Sequence, residues 1–203
     1  MFRFYRVIVC IGLLLSVLLV ASCGDKSTNP KPTSVLMPLA IGNQWEYAIT
    51  DYDTNSVVIS VDTVLMEIVK DTVIQNMTFY ILTADGVRNP ELFWPSNQSE
   101  GIWLFIPFDS TLSLGFKYPA SVGDRAIFGQ DSMVVASANA SVTVPAGTFQ
   151  CYQYNTYSSG TGLEQIWYFS PNRGLVKTED YAKTPGGTLY VDEQLELISF
   201  NLH

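Results

Sequence analysis

From Asn43 onward, the chain alternates short runs of β-branched and aromatic residues with Gly, Pro, Asn and Asp. No stretch keeps an apolar period of 3.6 residues over three turns, so helices should be few. Runs this close together can be joined by hairpins, whereas parallel strands would need helical crossovers between them. The pattern therefore predicts a mainly β fold of antiparallel strands, either a β-sandwich or an open, curved β-barrel.

Nine strands are predicted: Gln44–Thr50, Val57–Ile68, Thr78–Ala84, Gly101–Phe108, Ser132–Val144, Phe149–Tyr157, Glu164–Phe169, Leu175–Tyr181 and Thr188–Phe200. Three joints carry the Pro and Gly residues that are typical of tight turns: Val144–Thr148, Ser170–Gly174 and Thr184–Thr188. Because no flexible linker divides the strands, residues 38–203 should form a single domain.

The two halves of this domain repeat short motifs in the same order. The repeated pairs include Pro38–Asn43 with Pro119–Asp124 and Ile102–Pro107 with Ile166–Pro171. The repeat predicts two related β-meanders, residues 38–118 and 119–203, that share one core. Coincidence is the alternative, since common strand residues supply much of the likeness.

The composition excludes several classes of protein. Apolar residues make up 47% of the chain and charged residues 15%, which is typical of a globular protein with a sizeable core. The formal charge of −8 comes without a basic patch and would repel a phosphate backbone, so nucleic acid is not an expected partner. Three cysteines in 203 residues cannot form a disulfide framework.

The first 22 residues have the three parts of a secretory signal peptide. Arg3 and Arg6 are followed by an uninterrupted apolar run, Val7–Val20, and then by two small residues. The run has 14 residues, fewer than the ~20 that a transmembrane helix needs, so a signal helix that is removed is favoured over a permanent span.

Leu19–Cys23 reads Leu-Val-Ala-Ser-Cys and resembles the lipobox of bacterial lipoproteins. The resemblance implies cleavage between Ser22 and Cys23, a diacylglyceryl group on the Cys23 sulfur, and acylation of its new amino group. Such a protein would be held in the cell envelope by acyl chains. In enterobacteria an Asp after the cysteine retains a lipoprotein in the inner membrane, and Gly24 stands here, so the outer membrane is favoured. An ordinary signal peptide with an incidental cysteine is the alternative.

Processing would leave 181 residues with a formal charge of −10, because Arg3 and Arg6 are lost. Residues 23–37 are polar and contain Pro, which predicts a lipidated, flexible tether before the domain.

The domain contains three motifs: Gly-Asn-x-Trp-x-Tyr at Gly42–Tyr47, Val-Pro-Ala-Gly-Thr-Phe at Val144–Phe149, and Gly-Leu-Val-Lys at Gly174–Lys177. These motifs resemble those of uncharacterised bacterial envelope lipoproteins and secreted β-proteins. The resemblance covers most of the folded part and implies no activity. The same residues also suit hairpin turns and an aromatic core.

Catalytic and metal-binding residue types are scarce. The single histidine, His203, is the last residue, where fraying is expected, so His-based catalysis and metal sites are unsupported. Cys151 lies in a strand pattern beside Phe149 and Tyr152 and should be a buried, unreactive thiol. We therefore expect no cofactor and no metal.

Carboxylates offer two weaker patterns. Asp51, Asp53 and Asn55 have the alternate spacing of a calcium loop but lack its Gly and closing Glu, which favours a hairpin turn. A carboxylate pair for glycoside hydrolysis could come from Glu91, Glu100, Asp109, Glu164, Glu179 and Asp180. That chemistry depends on a separation in space that the sequence does not contain.

Aromatic residues give the only hint of binding. Trp94 lies in a turn-rich stretch, and Tyr154 and Tyr157 flank a polar loop, so exposed rings there could contact a sugar or a protein. Trp45, Trp103 and Trp167 fall inside strands and are expected in the core.

The leading functional hypothesis is a non-enzymatic, lipid-anchored envelope protein with a binding or scaffolding domain, whose partner could be a protein, a glycan or a lipid. The alternatives are a carrier of a lipid or another apolar ligand, and a glycan hydrolase with paired carboxylates. The leading hypothesis predicts a packed core with no void much larger than a water molecule. An apolar pocket of several hundred Å³ would favour the carrier instead.

Overall fold

The structure is a computed structural model that describes residues 34–84, 93–128, 131–158 and 162–203. The signal peptide, the lipobox and Glu91 lie outside the described residues. The described chain forms twelve strands: β1 (Gln44–Tyr52), β2 (Val58–Ile74), β3 (Met77–Ala84), β4 (Trp94–Gln98), β5 (Gly101–Ile106), β6 (Thr111–Lys117), β7 (Arg125–Phe128), β8 (Asp131–Val144), β9 (Gly147–Ser158), β10 (Gly162–Ser170), β11 (Gly174–Lys183) and β12 (Leu189–Asn201). Over these ranges, no helix has the length and apolarity to cross a membrane.

The strands form two antiparallel sheets. The large sheet has nine strands in the order β3-β2-β1-β12-β11-β10-β9-β8-β7, and the small sheet has the order β4-β5-β6. No pairing joins the edge strands β3 and β7 in the described part of the chain, so the large sheet is not a closed barrel. The predicted all-β fold is confirmed, in the form of an open, curved sandwich.

All nine predicted strands are present, and three further strands were missed. The shortest, β7, has only four residues, and Gly115 interrupts the apolar sequence pattern of β6. The third, β4, contains Pro95 and has no apolar alternation; it lies at an edge of the small sheet, where a proline is tolerated. These three strands carry too short or too irregular a pattern to be recognised from the sequence.

The repeated Gly-Asn and Gly-Asp motifs adopt the same local structure. Gly42 and Gly123 both have φ near +90°, and their N–H groups donate to the carbonyls of Ile68 and Val135, each at 2.8 Å. A β-bulge follows directly after Ile68 in β2 and after Val135 in β8. The halves diverge beyond this point, because the first divides its strands between two sheets and the second forms one meander of six strands. The duplication of the whole domain stays a prediction.

The ordered domain begins earlier than the sequence suggested. Leu36 and Met37, which the sequence placed in the tether, are buried in the core. The N–H of Asn172 donates to the Val35 carbonyl at 2.8 Å, and the Asn97 side chain donates to the Met37 carbonyl at 2.8 Å. These apolar and backbone contacts attach residues 34–37 to the β10–β11 turn and the small sheet.

Three aromatic side chains tie the strands together through their polar ends. The indole Nε1 of Trp45 donates to the Arg173 carbonyl at 2.7 Å, and the Tyr47 hydroxyl donates to the Leu175 carbonyl at 2.9 Å. The Tyr154 hydroxyl donates to the carbonyl of Lys117 at 2.8 Å and so joins β9 of the large sheet to β6 of the small one. Large rings can therefore be buried here without leaving their polar atoms unsatisfied.

Candidate functional site

A cavity of about 260 Å³ lies between the two sheets and is partly open to solvent. Its walls come from both sheets and from the segment before β1: Met37, Tyr47, Ile49, Val64, Met66, Leu82, Ala84, Phe93, Pro95, Ile102, Leu104, Phe116, Gln165, Trp167, Phe169, Leu175, Thr178, Asp180, Glu193 and Leu195. Sixteen of these twenty residues are aliphatic, aromatic or proline. The expectation of a core without large voids is therefore wrong, because the small sheet lies across the large sheet without filling the space between them.

An aromatic cluster forms one wall of the cavity. The ring of Phe116, in β6, lies 5.3 Å from Tyr154, 5.3 Å from Trp167 and 4.5 Å from Phe169, measured between ring centroids. The Trp167 indole donates to the Thr156 hydroxyl at 3.2 Å, which fixes the plane of its ring. Edge-to-face and tilted contacts of this kind hold rings in defined positions, so this wall is preformed.

Tyr47 contributes an apolar surface in spite of its hydroxyl. Burial raises the pKa of Tyr47, so the phenol stays protonated and keeps its hydrogen bond to the Leu175 carbonyl. The ring, and not the hydroxyl, is therefore what Tyr47 offers to an occupant of the cavity.

Polar side chains collect at the other end of the same face. The strand register places Gln165 opposite Asp180, Asp180 opposite Glu193, and Glu193 opposite Asp51. Side chains directly opposite each other in an antiparallel sheet share a face and lie about 5 Å apart at Cβ. One row across β10, β11, β12 and β1 thus carries an amide and three carboxylates.

The row directly beside it is mostly apolar. Trp167 lies opposite Thr178, Thr178 opposite Leu195, and Leu195 opposite Ile49. All four of these residues line the cavity, as do Gln165, Asp180 and Glu193 of the polar row. Across these four strands, the face of the large sheet thus changes from a mostly apolar row to a polar, largely acidic row within two residues.

Of the predicted carboxylates that the structure describes, Asp109, Glu179 and Asp180 do not lie in one site. Asp109 accepts a hydrogen bond from the Thr111 N–H within a turn. Glu179 binds Lys177 at 3.0 Å and Tyr181 at 3.0 Å, and by alternation it faces away from the cavity. Asp180 does line the cavity, but its neighbour is Glu193, which the sequence analysis missed. Only the β11–β12 register brings these two together, and a sequence shows no register.

The calcium-loop pattern is a hairpin turn, as predicted. The Asp53 carboxylate accepts hydrogen bonds from the N–H groups of Asn55 at 2.8 Å and Val57 at 2.9 Å. These bonds hold the pKa of Asp53 below its usual value. The Asp51 carboxylate accepts a hydrogen bond from the Ser60 hydroxyl at 2.6 Å. Across residues 34–84, 93–128, 131–158 and 162–203, no group of three or more His, Cys, Asp or Glu residues could hold a metal ion.

The division of the aromatic candidates into core and exposed residues differs from the prediction. Trp45 is in the core, as expected. Trp103 and Trp167 are only half-buried, and Trp167 lines the cavity. Tyr154 is buried, so its predicted exposure is wrong, while Tyr157 is 37% exposed. Trp94 is half-buried, with its ring 5.6 Å from Phe105.

The sequence analysis expected the C-terminal residue to be frayed, but a hydrogen bond holds it in place. The N–H of His203 donates to the Asn43 side-chain carbonyl at 2.8 Å. A second hydrogen bond, from the amide group of Asn43 to the Pro38 carbonyl at 2.8 Å, holds Asn43 in place. One buried amide therefore connects the beginning and the end of the domain.

Cys151 has the predicted character of a core thiol. It is fully buried, and burial raises the pKa of the thiol to about 12. Since the thiolate is the reactive form, we expect a thiol reagent at pH 8 to label Cys151 at least about a hundredfold more slowly in the folded protein than in urea. Residues 23–203 with Cys23→Ser, expressed without the leader, contain this thiol alone. Equal rates with and without urea would contradict the burial.

No family model matches the chain, and no curated protein matches it. Among solved structures, it is similar to a candidate exported protein from Bacteroides fragilis with a YmcC-like fold, at 12% identity and a TM-score of 0.45, over 83% of this chain and 99% of that one. It is also similar to a candidate lipoprotein from Parabacteroides distasonis, at 17% identity and a TM-score of 0.43, over the same shares. A candidate outer-membrane lipoprotein-sorting protein domain from Vibrio parahaemolyticus has 10% identity and a TM-score of 0.22, over 79% of this chain and 85% of that one. At these scores the similarities carry no function to this chain.

Proposed function

We propose that the protein is an envelope lipoprotein, anchored through acyl chains on Cys23, whose β domain binds one apolar chain in the cavity between its sheets. The observation that carries this proposal is the cavity itself, with sixteen apolar residues among the twenty that line it. A scaffolding domain has no use for such a space, whereas a carrier or sensor of apolar ligands requires it. Of the three functions that the sequence left open, the carrier is the one that the cavity favours.

The size of the cavity indicates what it can hold. An apolar protein cavity of ~150 Å³ can bind benzene, which has six carbons, so by the same proportion about 260 Å³ holds roughly ten carbons. A single alkyl chain of that length fits, and two chains do not. Each buried CH₂ group contributes about 0.8 kcal/mol, which is enough for specific binding of a medium-length chain.

A glycan hydrolase is less well supported. Asp180 and Glu193 are a pair of neighbouring carboxylates, which that chemistry needs. A sugar ring, however, needs polar partners for many hydroxyl groups, and only Gln165 and Thr178 join the two carboxylates as polar residues in the lining. Burying hydroxyls against the other sixteen residues would leave them without hydrogen bonds.

Filling the cavity tests the proposal. Ala84 lines the cavity near the end of β3, and Ala84→Leu would add bulk where the chain should lie. We expect residues 23–203 with Cys23→Ser, expressed without the leader, to bind about one equivalent of decanol in a calorimetric titration, and Ala84→Leu to weaken this binding at least about tenfold, or 1.4 kcal/mol.

Thr83→Leu is the matched control. Thr83 precedes Ala84 in the same strand and faces the other way, and its replacement also introduces a leucine. It should leave decanol binding unchanged. Absence of decanol binding in the parent protein, or equal loss in both variants, would contradict the proposed function.

A further inference from the structure

We infer that Met37 closes one end of the cavity and so sets the length of the alkyl chain that the cavity can hold. This inference rests on the proposed function and adds to it the chain length of the ligand. It follows from the position of Met37, which is 8% exposed, lines the cavity and lies beside the start of β11.

The cavity extends along the strands of the large sheet. Gln165, Trp167 and Phe169 alternate along β10, and all three line the cavity. At ~3.3 Å per residue, the four steps from Gln165 to Phe169 span about 13 Å. An extended chain of the roughly ten carbons that the volume allows fits this length. The length and the volume therefore agree on a single chain that lies along β10.

The two ends of the cavity differ in their access to water. Gln165 and Asp180 lie opposite each other and are partly exposed. Phe169 and Leu175 lie opposite each other at the other end and are buried, with 4% and 8% exposed. The polar end of a ligand therefore lies at the Gln165 end, in contact with water, and its chain is directed towards Phe169 and Leu175.

Met37 lies at the buried end, where the core behind it is packed. A Cβ atom on Gly174, the residue before Leu175, would lie 3.3 Å from Cγ of Met37 and 3.2 Å from Nε1 of Trp45. Met37 and Trp45 therefore meet at the start of β11. Trp45 and Leu36 are 0% and 1% exposed, and neither lines the cavity. A chain that reaches Met37 thus meets close-packed side chains and cannot extend further.

The backbone around Met37 is held by both sheets. The Met37 carbonyl accepts a hydrogen bond from the Asn97 side chain in β4 at 2.8 Å. The Val35 carbonyl accepts one from the Asn172 N–H at 2.8 Å, and the Val35 N–H donates to the Asn172 side-chain carbonyl at 3.1 Å. A longer chain could displace this end wall only by breaking these bonds. Carbons in excess of about ten therefore stay in water at the open end and add nothing to the affinity.

A series of straight-chain alcohols measures the limit. Octanol, decanol and dodecanol are titrated into residues 23–203 with Cys23→Ser, expressed without the leader. From octanol to decanol, we expect the affinity to rise about fourfold with each CH₂ group. From decanol to dodecanol, it should change less than about twofold.

Shortening the side chain of Met37 should move the limit to longer chains. Met37→Ala removes three heavy atoms from the end wall, so dodecanol should bind this variant at least about tenfold more tightly than decanol does. Met37→Val leaves a smaller void and costs less stability. It should show the same change at smaller size, with dodecanol bound at least about threefold more tightly than decanol.

Leu36→Ala is the matched control. It also removes three heavy atoms from a buried residue of the same segment, but Leu36 does not line the cavity. The affinities of this variant for decanol and dodecanol should stay within about twofold of each other. A segment that only stabilised the fold would respond alike to Leu36→Ala and Met37→Ala.

The outcomes distinguish the inference from the proposed function. If decanol does not bind, the proposed function fails. The length limit is wrong, while the apolar site stands, if affinity in the parent protein keeps rising about fourfold per CH₂ up to dodecanol. The same conclusion follows if neither Met37 variant favours dodecanol, or if Leu36→Ala favours it as much as Met37→Ala does.

Discussion

Replacing Gly101 by alanine should destabilise the domain more than the same replacement at any other glycine in the described ranges. Gly101 has φ +136°, in the region that L-residues rarely adopt. A Cβ atom there would overlap the carbonyl oxygen of Phe116 and would lie 2.6 Å from the backbone nitrogen of Tyr118. Backbone atoms of the paired strand cannot rotate away as a side chain can, so β5 and β6 would have to separate.

We expect Gly101→Ala to lower the free energy of unfolding by at least about 3 kcal/mol, a large share of the ~5–15 kcal/mol that stabilises most domains. Urea unfolding followed by tryptophan fluorescence measures it. Decanol binding should fall as well, because Ile102 and Phe116 belong to the cavity wall.

Gly123→Ala distinguishes the loss of stability caused by steric overlap of the added Cβ atom from the loss caused by the positive φ angle. Gly123 has φ +90°, but a Cβ atom there would meet nothing within 4 Å. Its cost should be only the ~1–2 kcal/mol of placing an L-residue at positive φ. If both variants lost the same stability, the close approach of β6 to Gly101 would be contradicted.

The strands could be predicted because their signals are local. A run such as Gln44–Thr50 alternates apolar and polar residues, and turns such as Ser170–Gly174 contain Pro, Asn and Gly, so both are recognisable within a few residues. The structure places Asn172 and Gly174 at positive φ, as that turn chemistry requires. The reliance on local signals also explains why Leu36 and Met37 were assigned to the tether: two apolar residues are too short a segment to be recognised as part of a folded domain.

The cavity could not be predicted because it depends on contacts between distant parts of the chain. Tyr154 was expected to be exposed because it lies near a polar loop, yet its hydroxyl binds the Lys117 carbonyl, 37 residues away. Likewise, Asp180 and Glu193 become neighbours only through the register of β11 and β12, which shifts once, between Asp180 and Tyr181. Composition showed enough aromatic residues for a core, but not that two sheets would leave space between them.

The anchor prediction has an all-or-none outcome. Because the leader ends in Leu-Val-Ala-Ser and Cys23 follows it, we expect the Cys23 sulfur to carry the diacylglyceryl group and cleavage to follow Ser22. Cys23→Ser removes the only atom that can form the thioether, so acylation should be abolished and cleavage at this site should stop. Mass spectrometry of the mature N-terminus, with fractionation of membranes from soluble protein, measures both. Several acyl chains hold a protein on a membrane far more firmly than one chain does.

Ser22→Thr provides a control that keeps the cysteine and changes the small residue before it, and it should still yield lipidated protein. The anchor prediction also separates attachment from ligand binding, because Cys23 precedes the described domain and Ala84 lies within it. Residues 23–203 with Cys23→Ser, expressed without the leader, should stay off the membrane and bind decanol with unchanged affinity, whereas full-length Ala84→Leu should stay on the membrane and lose decanol affinity. An unmodified Cys23 in the native protein, or a mature chain that starts elsewhere, would show that residues 19–23 are an ordinary cleavage region with an incidental cysteine.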